Sequence, residues 1–107
     1  MKKAIFSLIL GACSLAHADF YTGNELLERL NDPARVSLSM GYIAGVSDMG
    51  AGEYHCAPGE VTLGQVRDMV HRSLTSTPST RHMSAAVLVT LTLMEAWPCP
   101  KKKGSSL

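Results

Sequence analysis

The residues of this chain best suited to chemistry are His55 and Cys56, adjacent to each other, and Cys99 near the far end. A thiolate beside an imidazole suggests nucleophilic catalysis. The same three side chains are types that zinc accepts, but no paired C-x-x-C or H-x-x-x-H spacing accompanies them. Cysteine counting argues against both readings. Of the 3 cysteines, Cys13 lies in an N-terminal export signal and would leave with it. An even pair remaining in a short, exported chain predicts a Cys56–Cys99 disulfide, and a cysteine held in a disulfide is no nucleophile. Glu25 and Glu28 share a helix and could suggest paired carboxylates. Glu25, however, is accounted for by a helix cap, and Glu28 reads as a solvated face. His71 falls on the rim of a helix and His82 just ahead of another. The sequence therefore assigns no catalytic residue, no metal site and no cofactor.

The export signal is read from Lys2 and Lys3, the apolar run Ala4 to Leu15, and the A-x-A site Ala16-His17-Ala18, with cleavage between Ala18 and Asp19. A second reading takes Leu10-Gly11-Ala12-Cys13 as a lipobox, which would keep Cys13 as a lipidated anchor without changing the fold. The expected organisation is a signal at 1–18, one domain at 19–100 and a flexible basic tail at 101–107. Such a domain buries little core, so a covalent staple matters to it. Up to Pro100 the mature body carries 5 basic against 9 acidic residues, a net −4, with three lysines following it. A mildly acidic body is a poor match for nucleic acid.

Four helical segments can be read, with no strand alternation. Thr22-Gly23-Asn24-Glu25 is a capping box opening the first, whose apolar face is Leu26, Leu27 and Leu30. The second is expected to start at once, with Asp32 as N-cap and Pro33 at the first helical position, and to carry Val36, Met40 and Ile43 on one face. Gly41 and Gly45, four apart on one face, suggest close approach by a neighbouring backbone. Thr62-Leu63-Gly64-Gln65 is a second capping box, and Val66, Met69, Val70 and Leu74 form the stripe of the third helix. The fourth, from about Met83 to Ala96, is apolar on most sides and reads as the central core helix. It is too short and too threonine-rich to span a membrane. Cys56 precedes the third helix and Cys99 follows the fourth, so an antiparallel hairpin would bring them to one end. The expectation is an all-α domain, a small, roughly orthogonal four-helix bundle with one disulfide.

The run from Met49 to Glu60, with Gly50, Gly52, Pro58 and Gly59, reads as an irregular loop. It is long for so small a domain, and such loops often bind. Glu53, Tyr54 and His55 are a carboxylate, an amphipathic ring and an imidazole beside a disulfide that would hold the loop's base rigid. They are the candidate partner-binding residues. The alternatives are a plain connector with Tyr54 folded onto the core, or an interface at the turn 76–81.

Several segments together resemble the Rap/Tai family of type VI secretion amidase immunity proteins: Phe20-Tyr21-Thr22-Gly23-Asn24-Glu25-Leu26-Leu27; Gly41-Tyr42-Ile43-Ala44-Gly45-Val46 with Asp48; Cys56-Ala57-Pro58; Val61-Thr62-Leu63-Gly64-Gln65; Arg81-His82; and Ala96-Trp97-Pro98-Cys99. The resemblance implies a small helical periplasmic inhibitor, not an enzyme, that binds a cognate peptidoglycan amidase effector and blocks its active-site cleft. It also allows homodimerisation. The rival class is a periplasmic helical binding or chaperone-like domain with no toxin partner.

Overall fold

A computed structural model of the protein describes residues 20–101. The export signal, its Ala18/Asp19 cleavage site, Cys13 and all but the first residue of the basic tail lie outside them. Among the described residues there are four α-helices and no strand: α1 Gly23–Leu30, α2 Val36–Gly50, α3 Leu63–Ser76 and α4 Ala85–Ala96, with a 3-10 turn at Pro78–Thr80 before α4.

Both capping boxes form as their sequences require. The Glu25 amide donates to Thr22 Oγ1 (3.2 Å) and the Thr22 amide to Glu25 Oε1 (2.9 Å). At α3 the Gln65 amide donates to Thr62 Oγ1 (3.1 Å) and the Thr62 amide to Gln65 Oε1 (2.8 Å). Each box satisfies two amides that a helix start leaves without partners. Every helix then packs on every other, with α2 against α4 the most extensive pairing. The core is a set of i, i+4 stripes: Leu26 and Leu30 on α1, Val66, Val70 and Leu74 on α3, and Ala85, Val89 and Leu93 on α4. Ile43 of α2 completes it. Beside them Ser39 is fully buried and spends its hydroxyl on the Arg35 carbonyl.

The starts of α1 and α4 are tied together by main-chain bonds. The Gly23 amide donates to the Met83 carbonyl, Asn24 to Arg81, and Ala85 to Tyr21, at 2.8–2.9 Å. Arg81 also donates through Nη1 to the Leu74 carbonyl (3.1 Å), joining the end of α3 to the same seam. At the opposite end Cys56 and Cys99 form the disulfide, 43 residues apart with Cα atoms at 4.8 Å. The Cys56 amide donates to the Trp97 carbonyl beside it (2.8 Å).

Four expectations need correction. Asp32 does not cap α2: its Oδ1 accepts from the Ala34 amide (2.9 Å) and its Oδ2 from Arg35 Nε (2.7 Å). Those local bonds compete with helix formation, so 32–35 is a turn and α2 begins at Val36. The Ala34 amide and then Arg35 hold the Asp32 carboxyl below its ordinary range. Secondly, α2 extends through Met49 to Gly50, taking two residues from the expected loop. Thirdly, Gly41 and Gly45 face open space; a Cβ at either would meet nothing within 4 Å. The close approach is at Gly23 instead, where a Cβ would lie 2.5 Å from Leu88 Cδ1 and 2.9 Å from the Arg81 carbonyl oxygen. Lastly, α4 begins at Ala85 and is not buried all round: Val87, Leu91 and Met94 are exposed.

Two stability outcomes follow. Replacing both Cys56 and Cys99 with serine removes a cross-link that stabilises by about 4 kcal/mol on the chain-entropy estimate for a loop of about 44 residues. The urea midpoint should fall accordingly, and an unchanged midpoint would show that the staple carries no stability. Gly23→Ala should destabilise by about 1–3 kcal/mol through overpacking, whereas Gly41→Ala and Gly45→Ala should stabilise by about 0.5–1 kcal/mol. The same urea titrations compare them, and a reversed order would refute the assignment of the crowded glycine.

Candidate functional site

Once the core is filled, one face of the molecule is left rich in apolar side chains. On α2 the exposed positions Leu38, Gly41, Gly45 and Met49 fall at i, i+3, i+7 and i+11, one stripe of the helix. Met49 is 84% exposed. On α4, Val87, Leu91 and Met94 fall at i, i+4 and i+7, opposite the buried stripe. Between the two helices stands Tyr54, 55% exposed. It separates two shallow hollows and lines both. One, about 310 Å³, is shared with Gly45, Val46, Met49 and Gly50. The other, about 420 Å³, is shared with Val87, Leu91 and Met94. No carboxylate or cation lines either hollow, and Thr90, common to both, spends its hydroxyl on the Ala86 carbonyl (2.8 Å).

The chain holds Tyr54 in place from both sides. The Gly50 carbonyl, last of α2, accepts from the amides of Glu53, Tyr54 and His55 at 3.0, 2.8 and 3.3 Å. Gly52 supplies the turn, with φ +81°, a conformation that costs glycine nothing. The Tyr54 ring lies against Gly50, its Cδ2 3.4 Å from where a Cβ would be. On the other side His55 is only 5% exposed. Its Nε2 sits 2.9 Å from the Ser47 carbonyl oxygen, which can only accept, so Nε2 carries the proton. Cys56 follows in the disulfide.

The three residues singled out from the sequence therefore divide. Glu53 and Tyr54 are exposed; His55 faces inward and anchors the turn that presents them. Sequence reasoning placed Met49 in the candidate binding segment but as loop, where it is the penultimate residue of α2; it missed Val87, Leu91 and Met94, taken as core. The signal was present, because α4 carries more apolar residues than one buried stripe uses.

Four of the other chemical candidates are engaged in structure. Glu25 is held in its capping box, Cys56 and Cys99 in the disulfide, and His71 Nε2 lies 2.8 Å from Asn31 Oδ1. Among the described residues, no group of three His, Cys, Asp or Glu could hold a metal ion, and no helix is long and apolar enough to cross a membrane.

A family model described as Rap1a immunity proteins matches residues 22–99, from the first capping threonine to the second disulfide cysteine. The chain belongs to this family. It is an immunity protein for a type VI secretion effector, of a kind that acts by binding and not by catalysis. Immunity proteins of this family act against effectors in the periplasm. No curated protein matches the chain.

The division of labour in the turn is testable without a partner. His55→Ala removes a buried ring and leaves the Ser47 carbonyl unpaired, which should cost about 2 kcal/mol or more. Glu53→Ala should stay within about 0.5 kcal/mol of the parent, as for an exposed side chain. Urea unfolding measures both, and equal effects would contradict an anchoring His55.

Proposed function

We propose that this member of the Rap1a immunity proteins binds, in the periplasm, a peptidoglycan amidase delivered by type VI secretion, and occludes its active-site cleft with the face centred on Tyr54. The supporting observation is Tyr54 itself, more than half exposed amid uncharged apolar surface and held from behind by His55 and the disulfide. An aromatic ring with a polar tip is a frequent hot spot. A turn already ordered before binding lowers the conformational cost of association. Glu53, exposed on the same turn, sits at the polar rim, and His55 contributes by keeping the turn's shape.

In this reading residues 1–18 direct export, cleavage falls between Ala18 and Asp19, residues 19–100 form the binding domain, and 101–107 are a basic tail. Homodimerisation is assigned to the Leu38 end of the α2 stripe, away from Tyr54, at the groove lined by Phe20, Tyr21, Leu38, Gly41 and Tyr42. Separate grooves would let a dimer present two Tyr54 faces.

The test is calorimetric titration of the mature protein with its cognate amidase. Tyr54→Ala and Leu91→Asp should each weaken binding by roughly 30-fold or more, the hot-spot range of at least about 2 kcal/mol. Circular dichroism keeps an unfolded variant from being mistaken for a weak one. Unchanged affinity in folded variants would move the interface off this face, and failure to inhibit any amidase would remove the proposed target.

A further inference from the structure

The turn 51–55 also borders a third hollow, about 250 Å³, distinct from the pair beside Tyr54. Its walls are mostly apolar, with Pro58 and Val61 of the loop, Val66 of α3 and Leu93 of α4 among them. Two of the four polar side chains in the wall are fully committed. The Ser47 hydroxyl donates to the Ile43 carbonyl (2.7 Å), and Thr62 Oγ1 accepts in its capping box. Two groups are not. Asp48 is exposed, carries the one carboxylate in the lining, and forms no ion pair among the described residues. His55 is nine-tenths buried; because Nε2 carries the proton, Nδ1 is a bare lone pair, itself buried and without a hydrogen-bond partner among the described residues.

The lining itself carries one charged side chain, the Asp48 carboxylate. Glu53 and Glu60 lie on the stretch that starts at Asp48, neither in an ion pair among the described residues, and no lysine or arginine lines the cavity. A slot with apolar walls and a carboxylate suits a side chain with an apolar stem and a cationic tip. Arginine fits better than lysine, because its planar fork offers two donors at fixed angles to one carboxylate.

We propose that this hollow receives an arginine side chain projecting from the protein partner, with Asp48 as its counter-ion. The proposal rests on the partner-binding reading above and adds to it a second contact chemistry: the partner spans the turn, with apolar surface at Tyr54 and a cation at Asp48. Burying the guanidinium stem against Val61 and Leu93 would shield the pair from solvent, which makes such a pair matter more than an exposed one.

The first test needs no effector. Mature ¹⁵N-labelled protein is titrated with N-acetyl-arginine-methylamide, with the citrulline analogue as the uncharged control, following backbone amides by NMR. Shifts that saturate at Ala51, His55 and Val61 with the arginine probe, absent with citrulline and lost in Asp48→Asn, are expected. No such shifts, or equal shifts with both probes, would overturn the proposal even where the protein inhibits an amidase. Shifts at these amides on deleting 101–107, or on concentrating the free protein, would give the hollow to the chain's own lysines or to a second copy and would equally overturn it. With the cognate effector, Asp48→Asn should weaken binding roughly tenfold or more and flatten its salt dependence, while Tyr54→Ala weakens it at every salt concentration. Full affinity in Asp48→Asn alongside loss in Tyr54→Ala would reject the arginine pocket and leave the proposed function standing.

Discussion

The Cys56–Cys99 bond is the constraint on which the rest of the arrangement hangs. Among the described residues nine hydrophobic ones form the buried core, and fully burying each leucine, isoleucine or valine contributes only about 1.5–3 kcal/mol before chain entropy is set against it. The cross-link acts on that opposing side, by shrinking the unfolded ensemble. It also does something local. It fastens the stretch after α2 to the end of α4, so that the Cys56 amide reaches the Trp97 carbonyl and His55 is drawn under the turn. Without that fastening, the segment between α2 and α3 would be a connector with no fixed relation to α4. With it, Tyr54 stands at one place between α2 and α4.

The fold was legible where local physics and tertiary packing agree. A threonine three residues before a glutamate or glutamine marks both α1 and α3, because the bonds that identify a capping box are local. The i, i+4 spacing of Val66, Val70 and Leu74 needs no partner to be recognised. Asp32 shows the limit. Aspartate before proline is consistent with a helix cap and with a turn, and the choice rests on Arg35 being positioned to take the second carboxylate oxygen. The glycines show a different limit. Spacing alone made Gly41 and Gly45 look like a packing surface, whereas Gly23, inside a capping box, drew no reading of its own. Which glycine another element crowds depends on how Leu88 and Arg81 arrive from far along the chain, and no local pattern encodes that.

The candidate site was half legible for a related reason. A loop with several glycines beside a cysteine points to Glu53, Tyr54 and His55 as a unit, but sequence gives no direction to the side chains. A turn closed on the Gly50 carbonyl sends Tyr54 outward and His55 inward. Hydrophobicity misled more in α4. Apolar composition was equated with burial, yet four short helices can bury only one stripe of each, and the remainder of α4 must face solvent unless another molecule covers it.

That remainder also explains why this protein can act without chemistry. Val87, Leu91, Met94 and Met49 contribute little to the core, and solvent exposure of so many apolar groups works against solubility. Their retention on a domain this small is hard to account for by folding alone. It makes sense if the same set of residues is asked to do two jobs in turn: the buried stripe of α4 holds the domain together, and the opposite stripe is covered only in a complex. The two demands meet in the turn 51–55. Its inner residue, His55, is spent on stability. Its outer residue, Tyr54, keeps more than half of its surface in solvent, so under the proposed function the rigidity supplied by the disulfide and by His55 has its use in presenting Tyr54 to a partner.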